Sequence, residues 1–191
     1  MKKKLLIILA LLAINIGTCF ADSTTNNQIN ILYAENNIKE AFTLLLSIPE
    51  EERTSQNWLL MGNILQDEGK LDDAAFMYNR AISVDEKYYK AHYNLGNIYM
   101  LQDKPNLAIQ SYKKAVKYNP DFAYGYYNLG CAYLKIGKVK SAKWEFYKAI
   151  DLNNQVPDFH YNLAYTFKQL NKEKQAKTYL DFYNKLIERG Q

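Results

Sequence analysis

The stretch from Tyr89 to Phe122, YKAHYNLGNIYMLQDKPNLAIQSYKKAVKYNPDF, decides the fold, because similar sequence recurs 34 residues before it and after it. Three kinds of position recur in four copies, each time 34 residues apart. They are a ring at Trp58, His92, Tyr126 and His160, a bulky apolar residue at Met61, Leu95, Leu129 and Leu163, and a small residue at Gly62, Gly96, Gly130 and Ala164. Such self-similarity at a fixed period predicts a repeat protein.

Each copy contains two helical patterns. His92, Leu95 and Tyr99 share one helical face in the first half, and Ala108 and Tyr112 share another in the second half. Residue types that tolerate a left-handed backbone separate the halves, at Gly69, Asp103, Gly137 and Asn171. Each copy is therefore predicted to be two amphipathic helices joined by a short turn.

These positions resemble the tetratricopeptide repeat family, whose 34-residue unit carries an aromatic residue, Leu-Gly, Tyr, Ala, a second aromatic residue, Ala and Pro at the same offsets. The resemblance covers residues 55–190. It implies an all-α fold, a right-handed superhelical solenoid of about five helix-turn-helix units. It also implies that the first helices line a concave face, where an extended peptide or a partner helix lies.

The repeat register predicts the organisation of the chain. We expect a signal peptide at 1–21, a flexible leader at 22–27, a degenerate first repeat at 28–54 with its turn at Asn36-Asn37, repeats at 55–88, 89–122 and 123–156, and a degenerate repeat with a closing helix at 157–191. Ser55 is predicted to cap the helix that opens the second unit. Tyr183 replaces a small residue of the other copies, and we expect it to cover the open end of the stack.

Residues 1–21, MKKKLLIILALLAINIGTCFA, combine three lysines, an apolar run of about a dozen residues and small residues before the expected cleavage point. This pattern predicts a secretory signal peptide cleaved after Ala21, and hence an exported bacterial protein, periplasmic or secreted. The apolar run is shorter than a membrane-spanning helix needs. Cys19 raises the alternative of lipid attachment, although Thr18 fits a lipoprotein signal poorly. Membrane contact is expected only through that lipid.

The remainder of the chain is nearly neutral. Residues 1–21 hold three lysines and no acidic residue, which leaves 21 Lys and Arg against 20 Asp and Glu. With acidic residues interspersed, this balance predicts no nucleic-acid partner. Cys131 is the one cysteine after residue 21, so no internal disulfide is expected.

No metal, cofactor or catalytic site is expected. His92 and His160 occupy the same position two repeats apart, too far for one metal ion, and are interpreted as packing residues. Cys131 has no histidine in its own repeat and is interpreted as a small apolar filler. The sequence shows no phosphate-binding loop and no nucleophile motif. The chain is therefore not expected to be an enzyme.

The candidate binding residues lie beside the packing face of the first helices. Asparagine can bond to a peptide backbone, and tyrosine offers flat apolar area with a hydroxyl group. Within the resembled family, Asn63 and Asn94 match groove asparagines, whereas Leu59 and Tyr124 replace residues of a carboxylate clamp; lysines near the helix ends could favour an acidic ligand. The predicted set is Asn63, Tyr93, Asn94, Asn97, Tyr127, Asn128, Cys131, Lys135, Tyr161, Asn162, Tyr165 and Lys168.

Together these features predict an exported scaffold or adaptor that binds a peptide or a partner protein in the groove of a solenoid. Three alternatives stay open. They are a lipid-anchored envelope assembly factor, an accessory protein of an enzyme that uses Cys131, and a structural oligomer whose solenoid ends stack. The lysines of one second helix, Lys113, Lys114 and Lys117, are placed on the convex side and are expected to be neutral for peptide binding.

Overall fold

A computed structural model describes residues 23–189, and within that range the chain is helical with no strand. The helices are α1 (residues 23–34), α2 (Ile38–Ser47), α3 (Ser55–Asp67), α4 (Leu71–Val84), α5 (Tyr89–Leu101), α6 (Pro105–Tyr118), α7 (Ala123–Lys135), α8 (Val139–Leu152), α9 (Pro157–Gln169) and α10 (Glu173–Arg189), with a 3-10 turn at Glu50–Glu52. Helices adjacent in sequence from α2 to α10 pack against each other, and α7 also touches α9. The predicted all-α solenoid of about five helix pairs is confirmed.

The predicted turns are confirmed by the backbone. Gly69 and Gly137 have φ angles of 77° and 72°, and Asp103 and Asn171 both have φ of 55°. In the turn after α5, the amide of Lys104 donates to the carbonyl of Tyr99 at 2.7 Å, which pairs a carbonyl of the last helical turn. The degenerate first repeat uses the same device, with φ of 62° at Asn36.

The small residue of the first helix marks the closest approach between the two helices of a pair. A Cβ atom added at Gly130 would lie 2.7 Å from Cε1 of Phe146, and one added at Gly96 would lie 2.5 Å from Cε1 of Tyr112. Gly62 stands in the same relation to Tyr78. In each pair an aromatic ring of α4, α6 or α8 therefore lies directly against the glycine backbone of the first helix. Any side chain in place of the glycine would prevent this packing.

The alanines of the second helices allow the next repeat to dock. Ala81, Ala115 and Ala149 are fully buried at equivalent positions. At the last equivalent position Tyr183 lies with its ring 5.3 Å from the ring of Tyr161. This contact joins the two helices of the last pair, α9 and α10, and cover of the open end by Tyr183 stays a prediction.

The N-terminal part of the fold differs from two predictions. Residues 23–27 are helical and belong to α1, so a flexible leader at 22–27 is wrong for these residues. The helix is held there because Asn57 Nδ2 donates to Asn26 Oδ1 at 2.6 Å and Ile29 is buried. Polar composition alone did not reveal these contacts.

The residue that caps α3 is Thr54, not Ser55. Thr54 has an extended backbone, its hydroxyl accepts from the amide of Asn57 at 3.2 Å, and its own amide donates to Asn57 Oδ1 at 2.9 Å. Ser55 is the first helical residue and is buried. The predicted signal peptide, which includes Cys19, lies outside the described residues. None of the described helices is long and apolar enough to cross a membrane.

Candidate functional site

The first helices α5, α7 and α9 carry a row of aromatic side chains beside the packing face. Tyr93 and Tyr127 are half-buried, whereas Tyr161 and Tyr165 are 49% and 46% exposed. Each of these positions sits one helical turn or one repeat from its neighbour, so the row runs across the three helices. We call Tyr93, Tyr127, Tyr161 and Tyr165 the tyrosine row.

The predicted asparagines are not free to bind a ligand through all their polar atoms. Asn94 Nδ2 donates to Asn63 Oδ1 at 2.8 Å, and Asn128 Nδ2 donates to Asn97 Oδ1 at 3.0 Å. Each bond joins the first helix of one repeat to the first helix of the next. These side chains therefore form a ladder within the protein, which engages the Nδ2 groups of Asn94 and Asn128 and the Oδ1 atoms of Asn63 and Asn97. Contact of these asparagines with a partner stays a prediction.

The second helices complete the ladder. The Tyr78 hydroxyl donates to Asn63 Oδ1 at 3.0 Å, and the Tyr112 hydroxyl donates to Asn97 Oδ1 at 2.7 Å. Burial raises the pKa of both tyrosines, so the hydroxyl groups remain protonated donors. The ring that presses on the glycine is thus also fixed through its hydroxyl group by the asparagine one position after that glycine.

Tyrosine hydroxyl groups also accept hydrogen bonds from the asparagines of the next repeat. Asn128 Nδ2 also donates to the Tyr93 hydroxyl at 3.0 Å, and Asn162 Nδ2 donates to the Tyr127 hydroxyl at 2.7 Å. The rings of Tyr93 and Tyr127 are fixed by neighbours as well, with centroids 4.8 Å from those of Phe122 and Phe159 respectively. Hydrogen bonds and ring packing therefore hold the side chains of Tyr93 and Tyr127 in place.

The C-terminal members of the tyrosine row have fewer contacts. The Tyr165 hydroxyl accepts from Gln169 Nε2 at 3.0 Å, on the same helix. A groove of about 350 Å³ opens beside it. Its lining comes from α9 and α10, with Tyr161, Ala164, Tyr165, Lys168, Glu173, Ala176, Lys177 and Leu180. A second groove of about 430 Å³ lies between α7 and α9 and includes Tyr165, Cys131 and Lys135 in its lining.

The predicted lysines differ in their partners. Lys135 Nζ lies 3.0 Å from Asp103 Oδ1, so its charge is already compensated. Lys168 is exposed, and no ion pair among the described residues includes it. Lys168 is therefore the better of the two for an acidic group on a ligand.

Cys131 lies along Tyr127 and is half-buried. Burial raises the pKa of its thiol to about 11, the opposite of what a nucleophilic thiolate requires. This environment fits the interpretation of Cys131 as a packing residue, and it does not favour a role as a reactive thiol.

The histidines have structural roles. His92 Nε2 lies 2.8 Å from the carbonyl oxygen of Glu86, and His160 Nε2 lies 2.9 Å from that of Asn154, two repeats later. Both rings are buried, and burial lowers the pKa of His92. Each ring thus fixes the loop before its own helix. Within residues 23–189 no group of His, Cys, Asp and Glu side chains is arranged to hold a metal ion.

Sequence reasoning missed part of the aromatic surface. Tyr124 is exposed, and its ring centroid is 5.3 Å from that of Phe159, which extends the tyrosine row toward the start of α7. Leu101 at the end of α5 is also exposed. Tyr124 precedes Tyr127 by three residues, and this helical spacing was a usable signal.

The paired helices, glycine contacts and tyrosine row define a helical repeat protein with a row of aromatic side chains along its first helices. Sequence profiles described as "TPR repeat" and "Tetratricopeptide repeat" match residues 62–103 and 96–137, and residues 123–156 and 157–181, respectively. These matches cover well over half of the chain, which belongs to the tetratricopeptide repeat family. No curated protein sequence matches it.

Solved structures show the same fold. MamA residues 41-end from Desulfovibrio magneticus RS-1 is 21% identical, with a TM-score of 0.77 over 88% of this chain and 96% of that one. A further MamA crystal structure is 18% identical, with a TM-score of 0.77 over 85% and 95%. YrrB, described as "a TPR protein with an unusual peptide-binding site", is 19% identical, with a TM-score of 0.71 over 84% and 83%. At these identities the likeness concerns the fold alone.

The asparagine ladder predicts that Asn97→Ala destabilises the protein. The change leaves the Tyr112 hydroxyl and one Asn128 amide hydrogen without their acceptor, which costs about 1–3 kcal/mol per buried group. The matched control is Asn184→Ala, an exposed asparagine inside α10, for which the better helix propensity of alanine is the main effect. Urea denaturation of both variants measures the difference. Equal stabilities would contradict a structural role for the ladder.

Proposed function

We propose that the protein is a scaffold that binds an extended peptide or a partner segment along the tyrosine row. The observation that carries this proposal is the graded exposure of the row. Tyr93 and Tyr127 are fixed by packing and hydrogen bonds, whereas Tyr161 and Tyr165 stand open beside a groove. Rigid aromatic side chains lose little conformational entropy on binding, so they suit recognition of another chain.

The chemistry of the surface favours a ligand with apolar or aromatic side chains. The ladder engages the Nδ2 donors of Asn94 and Asn128 and the Oδ1 acceptors of Asn63 and Asn97, so we propose that ring faces supply the main contacts. Lys168, at the C-terminal end of the row, supplies a positive charge for an acidic side chain or a terminal carboxylate. The peptide-binding site for which YrrB is described supports a peptide ligand for a fold of this kind.

We further propose that this scaffold acts outside the cytoplasm after removal of residues 1–21. The charged start, the apolar run and the small residues near Ala21 support export. Lipid attachment at Cys19 is the second candidate, which would hold the scaffold at a membrane as an envelope assembly factor. We propose no chemistry of its own for the protein, since the thiol of Cys131 is half-buried and burial raises its pKa.

The export proposal predicts an intact mass that corresponds to a chain beginning at Asp22, because a signal peptidase cuts after the small residues that close the segment. The measurement is mass spectrometry of the protein recovered from the producing cells. A mass that retains residues 1–21 would overturn cleavage, and a chain that begins at Cys19 with added acyl groups would establish the lipid-anchored form instead.

The binding proposal predicts that Tyr165→Ala weakens peptide binding by roughly tenfold or more, as truncation of an aromatic anchor does. The probe is a peptide selected from a random library on the full chain, and titration calorimetry gives the dissociation constant. The matched control is Trp144→Ala, which removes another exposed aromatic ring, on α8. We expect Trp144→Ala, and the triple change of Lys113, Lys114 and Lys117 to Ala, to leave the constant unchanged.

If the Tyr165 variant binds as well as the unchanged chain while one of the controls loses binding, the ligand lies on the second helices and the proposed groove is wrong. Thermal denaturation of every variant accompanies the titration, because Tyr165 makes only a surface hydrogen bond and its loss should leave the fold intact.

A further inference from the structure

The near-neutral total charge hides an uneven distribution along the chain. Residues 23–103 contain twelve Asp and Glu against six Lys and Arg, whereas residues 104–148 contain nine lysines against two acidic residues, Asp121 and Glu145. The expectation that acidic residues are interspersed among the basic ones is therefore wrong for the middle of the chain. A positive region of this density attracts anionic surfaces.

Much of this positive charge lies on the second helices α6 and α8. Lys113, Lys114 and Lys117 are exposed on α6, and Lys140 and Lys148 are exposed on α8. The two helices contribute to one surface, because Lys113 Nζ and Lys148 Nζ lie over two rings of α7, at 5.8 Å from the centroid of Tyr133 and 5.5 Å from that of Tyr126. No ion pair between described residues includes a lysine of α6 or α8. The half-buried carboxyl of Glu145 lies close enough to interact with Lys148 and Lys113, although burial is the larger influence and raises its pKa.

An exposed tryptophan lies among these lysines. Trp144 is 63% exposed, and Lys143 Nζ lies 4.7 Å from its ring centroid. Lys140 and Lys148 are one helical turn before it and one turn after it, so the indole is flanked along α8 by two positive charges. We call Lys113, Lys114, Lys117, Lys140, Lys143, Trp144 and Lys148 the basic face.

We propose that the basic face binds the surface of an anionic lipid bilayer. Clusters of lysine are attracted to negatively charged headgroups, and tryptophan favours the boundary between headgroups and acyl chains. The basic face belongs to the second helices α6 and α8, whereas the tyrosine row belongs to the first helices, so this proposal does not rest on the proposed peptide binding. It also requires no lipid attachment at Cys19, whereas the sequence alone predicts membrane contact only through that lipid.

Two features favour a bilayer over an acidic protein. All nine cations of residues 104–148 are lysines and none is arginine, although the planar guanidinium group is the one that pairs bidentately with carboxylates at protein interfaces. The second feature is the exposure of Trp144 among these lysines, since tryptophan favours the headgroup boundary of a bilayer. Point charges around one exposed indole, that of Trp144, fit a broad, fluid, anionic surface.

The test measures binding of the full chain to vesicles of phosphatidylcholine that contain about one-third phosphatidylglycerol, at low salt, where surface electrostatics are least screened. We expect binding to these vesicles and much weaker binding to pure phosphatidylcholine. The variant that carries Lys140→Gln, Lys143→Gln and Lys148→Gln should bind roughly a hundredfold more weakly, since each lysine near an anionic surface contributes roughly fivefold.

The matched control carries Lys172→Gln, Lys174→Gln and Lys185→Gln, which removes the same charge from exposed positions at α10. It should lose less than about fivefold, the effect of one lysine near the surface. Residues 1–22 are identical in all variants, so any lipid affinity of theirs cancels in the comparison. Far-ultraviolet circular dichroism verifies that both triple variants remain helical.

Tryptophan fluorescence gives a local readout on the unchanged chain. Trp58 is only 3% exposed, so a blue shift on adding anionic vesicles reports Trp144, and Trp144→Phe should abolish that shift. Equal losses for the two lysine triples, equal binding to neutral and anionic vesicles, or absence of the shift would overturn the proposal. Binding of soluble polyglutamate at the basic face without vesicle binding would also overturn it and would indicate an acidic protein partner.

Discussion

The close approach of a ring to a bare glycine backbone is the contact on which the repeat stack depends. In three consecutive pairs the ring of the second helix occupies the space that a Cβ atom of the first helix would fill: Tyr78 at Gly62, Tyr112 at Gly96 and Phe146 at Gly130. In the last pair both partners change, to Ala164 and Leu180, which line one groove. Where alanine replaces glycine on the first helix, leucine replaces the aromatic ring on the second helix, as close packing requires.

The same contact determines which polar atoms of the first helices are engaged inside the protein. Because the rings of Tyr78 and Tyr112 lie at the glycines, their hydroxyl groups reach Asn63 and Asn97, and these asparagines then receive the amides of the next repeat. The Oδ1 atoms of Asn63 and Asn97 and the Nδ2 groups of Asn94 and Asn128 are thus part of the internal framework. The tyrosine row lies beside them and is most exposed at its C-terminal end, where no further repeat follows among the described residues.

Periodicity predicted much of the fold, because packing constraints recur with the repeat. The turns, the closing helix and the positions of the candidate residues on the first helices followed from 34-residue spacing. Spacing could not show that Asn94 and Asn128 bond across repeats. An asparagine that faces a ligand and one that bonds to the neighbouring repeat would occupy the same position in the sequence. It also missed the helical start of the described chain, where Asn26 bonds to Asn57, because polar residues carry no helical pattern. The net charge concealed the basic face because opposite charges in different repeats cancel.

The most direct test of the central contact is a double-mutant cycle on Gly130 and Phe146, measured by urea denaturation. Gly130→Ala alone should lower the free energy of unfolding by about 1–3 kcal/mol, because its Cβ atom would meet the ring. In a Phe146→Leu background the same change should be neutral or stabilising by up to about 1 kcal/mol, since alanine is the better helix former. The predicted coupling therefore exceeds about 1 kcal/mol, whereas additivity within about 0.5 kcal/mol would contradict the account.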